Sequence, residues 1–277
     1  MPQAKRAIAT YLVLVFGLSS IFYTLIIRAG TLSAAHGMYV LALMWCPGTA
    51  GILTMLITTG SLRGMGWKPG NPKWLALAYL LPVAYGCVAY FVVWGAGWGT
   101  FTIAHLPAGT GTAKYVATAA TVGVLGSLIS ATGEEIGWRG VLVPQLSRVT
   151  GFTGTALISS GIWALWHTPV LLFADYNSGT PWWYGLTCFA VMVLGIGTAF
   201  AWLRLRSGSL WTGALFHASH NLFIQGVFDR MTGDAGHTAW ITGEFGIALA
   251  LLAVVVGVEF WRRRGALPAG APAPSAA

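Results

Sequence analysis

The stretch YVATAATVGVLGSLISATGEEIGWRG, residues 115–140, decides the fold class of this chain. Its first part, from Tyr115 to Gly133, carries no charge and is close to the roughly 20 apolar residues that a membrane-spanning helix needs. Glu134 and Glu135 follow at once, although the chain of 277 residues has only 7 acidic residues. Because a carboxylate is costly to hold at or near a bilayer, the pair predicts a functional site at the end of a membrane span.

The composition of the whole chain indicates an integral membrane protein. Hydrophobic residues make up 56% of it and charged residues 8%, whereas a soluble domain has about 25% charged residues. The formal net charge is +8, but the basic residues lie between apolar segments, as they do where they encode membrane topology, so no nucleic-acid partner is expected. The three cysteines show no CxxC spacing and predict neither a disulfide framework nor a thiolate metal site.

Apolar segments of spanning length predict an all-α fold, a polytopic transmembrane helix bundle of about eight spans. Residues 1–264 are expected to form a single integral membrane domain. The tail, residues 265–277, has too little apolar bulk to fold and is predicted to be disordered. The mildly amphipathic segment 139–151 is expected to lie along the membrane interface. The eight predicted spans are residues 7–27, 38–59, 74–95, 115–135, 152–173, 182–203, 209–228 and 241–261.

The positive-inside rule predicts how these spans are oriented. With eight spans, every basic residue except Arg28, Lys114 and Arg230 falls on the side of the two termini. We therefore expect both termini to be cytoplasmic in a multi-pass protein of the cell (plasma) membrane. This orientation places the two adjacent glutamates toward the cytoplasmic end of the fourth helix.

Strongly polar side chains inside the predicted spans gather on three helices. Glu135 precedes Arg139 by four residues, and this spacing on one helix face predicts a local ion pair. Glu134 then points in a different direction, toward the interior of the bundle. His217 and Asn221 also share one helix face. The complete set is Glu134, Glu135, His167, His217, His220 and Asn221.

This set of side chains suits the attack of water on a carbonyl group. Glu134 would act as the general base, and His167 would hold the water or share its proton. His217 and Asn221 could donate hydrogen bonds to the developing oxyanion. Alternatively, Glu134, His167 and His217 could bind one divalent metal, most simply zinc with one open position. The residues alone also leave open a transporter and a structural membrane protein, and His220 is expected to be structural.

Three motifs follow one another on the predicted spans, and their order is specific. They resemble the EExxxR, FxxxH and HxxxN motifs of the CAAX-protease and bacteriocin-processing family, also called the CPBP or Abi family of intramembrane proteases. The resemblance covers about residues 115–228, and Trp163 stands where the family usually has phenylalanine. The motifs here are Glu134-Glu135-Ile-Gly-Trp-Arg139, Trp163-Ala-Leu-Trp-His167 and His217-Ala-Ser-His-Asn221.

The resemblance implies a hydrolase, an intramembrane endopeptidase similar to the Ras-converting CAAX prenyl endopeptidases. Its partners would be the lipid bilayer and a membrane-associated peptide or protein substrate. By analogy, Glu134 and His167 activate the water, His217 and Asn221 form the oxyanion hole, and the predicted ion pair supports Glu134 or the substrate. The family is described both as metalloproteases and as metal-independent glutamate proteases, so one zinc ion and no metal are both implied. The alternatives are a catalytically silent membrane scaffold, a bacteriocin-immunity-type binding protein or a transporter.

Glu134 and His167 can meet if the fourth helix extends through Arg139, if the fifth helix begins outside the membrane, or if a helix is tilted. If the fifth helix begins near Phe152, His167 lies about 22 Å along it, at 1.5 Å per residue. Glu134 would otherwise lie much nearer the membrane surface. We therefore predict that the fourth helix runs to about residue 140. Glu244 and Glu259 are expected at the ends of the last helix, where they reach water.

Overall fold

The computed structural model describes residues 1–177 and 179–268, and it is a helical bundle. The all-α prediction is confirmed. Within the described residues, six helices are long and apolar enough to cross a membrane, so the chain is a multi-pass membrane protein. In chain order, the first to sixth helices are Pro2–Ala29, Ala34–Thr59, Pro72–Gly95, Thr112–Leu146, Phe152–Phe173 and Trp182–Ser207.

Two further helices occupy the positions of the predicted seventh and eighth spans. The seventh helix is Trp211–Asn221, and a π-helical segment, Leu222–Phe228, continues it. The eighth helix is Ile247–Arg262. It begins six residues later than predicted because Gly243 adopts a positive φ of 70° and reverses the chain after the short helix Thr238–Ile241. The side of the membrane that holds the termini stays a prediction.

The fourth helix is continuous from Thr112 to Leu146, so it extends past the two glutamates as predicted. The prediction that segment 139–151 lies along the interface is wrong for residues 139–146, which are helical and mostly buried inside the bundle. The amphipathic pattern suggested a surface position, but Arg139 is buried and forms an ion pair with the buried Glu135. A π-helical turn, Trp138–Leu142, interrupts the α-helix at this point, and such turns are frequent at functional sites.

The second and fourth helices are in close contact at glycines that flank the two glutamates. Gly133 and Gly137 lie four residues apart on the face that packs against the second helix. A Cβ added at Gly137 would overlap the Pro47 carbonyl oxygen, and one added at Gly48 would lie 2.5 Å from the Gly133 carbonyl oxygen. Small residues let membrane helices approach backbone to backbone. This contact therefore fixes the position of the fourth helix next to Glu134.

The remaining helices pack around one another and complete the bundle. The seventh helix packs between the third and fourth helices, while the sixth packs against the fifth and eighth. Two short strands, Thr100–Phe101 and Thr232–Gly233, pair antiparallel and join the loops after the third and seventh helices. At the C-terminal end, a 3-10 turn, Arg263–Ala266, follows the eighth helix. Of the predicted tail, residues 269–277 lie outside the described part of the chain.

Replacing Gly137 by alanine tests the glycine crossing. The new methyl group would overlap the Pro47 carbonyl oxygen, and overpacking of this kind costs about 1–3 kcal/mol. Gly126→Ala is the matched control, because it lies in the same helix with nothing within 4 Å of its added Cβ. Thermal unfolding of the purified protein in detergent should show a lower Tm for Gly137→Ala and an unchanged or higher Tm for Gly126→Ala. Equal Tm values for the two variants would contradict a tight crossing.

Candidate active site

The predicted catalytic residues Glu134, His167, His217 and Asn221 line one cavity of about 200 Å³ between the second, fourth, fifth, sixth and seventh helices, whereas Glu135 and Arg139 do not line it. Most of its wall is apolar and comes from residues such as Leu43, Val170, Phe189, Met192 and Ile196. The polar side chains that line it are Glu134, His167, Tyr176, His217, His220, Asn221, Gln225 and Glu244. A few polar groups within an apolar concave wall are typical of a ligand or active site.

Glu134 is held by two tryptophans. Its side chain is buried, with 1% of its surface exposed. Its Oε2 atom accepts a hydrogen bond from Trp138 Nε1 at 3.2 Å and another from Trp163 Nε1 at 2.9 Å. Trp138 is one turn further along the same helix, whereas Trp163 comes from the fifth helix. The contact with Trp163 thus brings the first and second motifs together.

His167 faces the same cavity and is oriented by its own helix. Its Nδ1 atom lies 2.9 Å from the carbonyl oxygen of Trp163. A carbonyl oxygen can only accept, so the proton of a neutral His167 is on Nδ1 and the lone pair is on Nε2. The ring stacks on Tyr176, with ring centroids 6.1 Å apart and an interplanar angle of 24°. The nitrogen left to the cavity, Nε2, can therefore accept a hydrogen bond from water.

Glu135 binds both Arg139 and His217. The predicted ion pair is present, with Arg139 NH1 2.8 Å from Glu135 Oε1, and both side chains are buried. The same oxygen lies 3.1 Å from His217 Nδ1, so His217 donates through Nδ1 and presents Nε2 to the cavity. The Arg139 guanidinium also packs over the rings of Trp163 and Phe200, 4.4 and 4.0 Å from their centroids. The sequence predicted the pairing with Arg139 but not the bond between Glu135 and His217.

Gly213 makes this arrangement possible on the seventh helix. A Cβ at this position would lie 2.6 Å from Glu135 Oε2 and 3.1 Å from Arg139 Cγ. The absence of a side chain therefore lets the backbone of the seventh helix approach the ion pair. His217 follows Gly213 by one turn and is brought within reach of Glu135. Asn221 lies one turn further along and lines the cavity beside His217.

A second buried polar network also borders the cavity. Tyr85 contacts His220 Nδ1, and His220 Nε2 lies 3.0 Å from Glu244 Oε1. Tyr176 donates a hydrogen bond to Glu244 Oε2 at 2.9 Å. The expectation that Glu244 reaches water is wrong, because its side chain is 7% exposed and points into the bundle. The chain reversal at Gly243 turns it inward, and the helix pattern in the sequence carried no signal of this.

The predicted metal ligands Glu134, His167 and His217 all line this cavity. Among the described residues, no three His, Cys, Asp or Glu side chains are grouped so that they could hold a metal ion. Glu134 Oε2 is bound by two indole N–H groups. The Glu134, His167 and His217 side chains thus share a cavity without converging on one point as ligands.

One segment of the chain is similar to a known protein family. Residues 116–223 match the family described as type II CAAX prenyl endopeptidase, Rce1-like. The family resemblance predicted from the motifs is confirmed. This Rce1-like segment contains all three motifs, whereas Glu244 lies outside it.

One relative is similar to part of this chain. CAAX prenyl protease 2 of Methanococcus maripaludis is 29% identical over 102 residues. The match covers 34% of this chain and 36% of the relative, so it spans about a third of the relative's length.

Replacing Arg139 tests how much the buried ion pair contributes to the fold. Arg139→Met leaves the Glu135 carboxylate buried without its strongest partner, and breaking a buried pair in this way costs about 3–5 kcal/mol. The matched control is Arg263→Met. Arg263 pairs with Glu259 at the same i,i+4 spacing, but both side chains are about half exposed, and an exposed pair contributes about 0–1 kcal/mol. Denaturant unfolding in detergent should show a much larger loss for Arg139→Met; similar losses would contradict a structural role for the buried pair.

Proposed function

We propose that this protein is an intramembrane endopeptidase that hydrolyses peptide bonds of membrane-associated peptides or proteins. The observation that carries the proposal is that Glu134, His167, His217 and Asn221, from three different helices, all face one largely apolar cavity. The match of residues 116–223 to the Rce1-like family supports a peptidase. The substrate would reach the cavity from the bilayer or its surface.

Glu134 and His167 are the proposed activators of the attacking water. Because both indole N–H groups bind Oε2, the other oxygen of Glu134, Oε1, is left for a water molecule in the cavity. The Nε2 atom of His167 accepts a second hydrogen bond from the same water and orients it. As the water oxygen bonds to the substrate carbonyl carbon, its proton passes to Glu134, which then gives it to the leaving amine as the C–N bond breaks.

His217 and Asn221 are the proposed donors to the oxyanion. They lie one helical turn apart on the seventh helix, on the wall of the cavity that the fourth and fifth helices face. The Glu135 carboxylate holds His217 Nδ1, so the imidazolium form would donate through Nε2, and the Asn221 amide would donate beside it. Donors fixed in advance in an apolar, water-poor cavity stabilise developing charge more than the same donors do in water.

The metal-dependent alternative is not part of the proposed mechanism. In the described residues, the side chains around Glu134 provide no three-ligand set, and each proposed step uses only carboxylate, imidazole and amide groups. The catalytically silent scaffold and the bacteriocin-immunity-type binding protein differ from an enzyme in one measurable respect. They would not depend on the Glu134 carboxylate for the turnover of any substrate.

Glu134→Gln tests the proposed function directly. The amide keeps the shape of the side chain but cannot take a proton, and loss of a general base typically lowers the rate by about 10²–10⁴-fold. Cleavage of membrane-anchored reporter peptides by purified protein in liposomes should fall by at least 100-fold. Glu259→Gln is the matched control, because Glu259 is exposed and pairs with Arg263 away from the cavity. Undiminished cleavage by Glu134→Gln would rule out the proposed mechanism.

Removal of divalent metal tests the choice between the two mechanisms of water activation. Extended dialysis against a chelator should change the cleavage rate less than twofold, because the proposed steps need no metal ligand set. Elemental analysis of the same samples provides the control that metal was removed. Loss of activity on chelation and its recovery on addition of zinc would contradict the metal-free mechanism.

A further inference from the structure

The two indole N–H groups on Glu134 are not accounted for by the motifs or by the proposed roles of the cavity residues. Both donate to the same carboxylate oxygen, Oε2. In the described part of the chain, no basic side chain forms an ion pair with Glu134, because Arg139 pairs with Glu135 instead. Trp138 and Trp163 are therefore the principal hydrogen-bond donors to a buried carboxylate.

Trp163 lies at the centre of the site and contacts each of its parts. Its indole N–H binds Glu134, and its carbonyl oxygen accepts from His167 Nδ1. The guanidinium of Arg139 packs over its ring, and the His217 ring meets it edge to face with centroids 5.4 Å apart. A single residue thus contacts the carboxylate, the two imidazoles and the arginine of the ion pair.

The carboxylate needs such support because its last torsion is soft. Rotation of a glutamate carboxylate about χ3 has broad preferences, so the side chain alone does not fix the plane of the carboxylate relative to a substrate. Two donors on one oxygen remove this freedom. The tryptophan indole suits this task in an apolar cavity because its Nε1–H only donates and adds no charge.

We propose that Trp163 and Trp138 are positioning residues that orient Glu134 through their indole N–H groups, so that Oε1 is presented to the attacking water. The inference rests on the proposed function, since it assigns the two tryptophans to the reaction of Glu134. It requires the N–H donors themselves and not aromatic bulk alone. Phenylalanine at position 163, the residue usual in the family that the motifs resemble, would keep the packing and lose the donor.

The kinetic test replaces each tryptophan by phenylalanine. Trp163→Phe and Trp138→Phe should each lower kcat about tenfold, which corresponds to about 1.4 kcal/mol, because the carboxylate loses one of its two hydrogen-bond donors. KM should stay within twofold, since neither indole N–H is assigned to the substrate. Only the monodisperse fraction from gel filtration is assayed, which separates lost positioning from failure to fold.

Trp202→Phe is the matched control for these variants. Trp202 is also buried in a membrane helix and donates its indole N–H, but to the carbonyl oxygen of Arg263 and away from the cavity. Its replacement should leave kcat within twofold of the wild type. Wild-type kcat in both Trp163→Phe and Trp138→Phe would overturn the proposal, and so would an equal loss in all three variants.

A spectroscopic test reports the contacts without relying on turnover. Indole N–H signals in ¹H–¹⁵N spectra of ¹⁵N-tryptophan-labelled protein can be assigned by their disappearance in Trp138→Phe, Trp163→Phe and Trp202→Phe. Glu134→Gln should shift the signals of Trp138 and Trp163 and leave that of Trp202 in place. Unshifted signals would overturn the inferred contacts.

Different results overturn the proposed function and the positioning role of the two tryptophans. Wild-type cleavage by Glu134→Gln overturns the proposed function, and with it the positioning role of the tryptophans, whatever the spectra show. An inactive Glu134→Gln variant combined with fully active tryptophan variants overturns the positioning role alone. Shifted indole signals, reduced kcat and unchanged KM in the two tryptophan variants together support the proposal.

Discussion

The burial of two adjacent carboxylates within a membrane bundle is the constraint on which the rest of this structure depends. Glu134 and Glu135 are almost fully buried, and each charge needs compensation where water is scarce. The two carboxylates have different partners in the bundle. Glu135 is paired with Arg139 and His217, whereas the donors to Glu134 within the described residues are two uncharged indole N–H groups, and Glu134 lines the cavity. This difference in partners is what makes two neighbouring residues suited to two separate tasks.

Close backbone approach makes the compensation possible. Gly133 and Gly137 bring the fourth helix against the second, and Gly213 brings the seventh helix against the Glu135–Arg139 pair. Larger residues at these points would move the helices apart, and the distances of about 3 Å that hydrogen bonds require would be lost. The helix packing and the site chemistry therefore depend on the same small residues.

The cavity joins the Rce1-like segment to a part of the chain beyond it. Residues of all three motifs line it, and so does Glu244, which lies beyond that segment and is bound by His220 of the third motif and by Tyr176. His167 stacks on Tyr176, so the two networks are in contact through one pair of rings. The chain reversal before the eighth helix thus completes the wall of a site whose motifs all lie earlier in the sequence.

The sequence by itself determined the helical membrane fold, the approximate spans, the three motifs and the Glu135–Arg139 pair, because hydropathy and i,i+4 spacing are local properties of a helix. Only the tertiary structure decided that Glu135 also binds His217, that Trp138 and Trp163 hold Glu134, and that Glu244 turns inward. These contacts join residues 24 to 82 positions apart, except for that of Trp138. They depend on how far each helix is rotated and how closely it approaches its neighbours, and a one-dimensional pattern of polar and apolar residues does not specify either quantity.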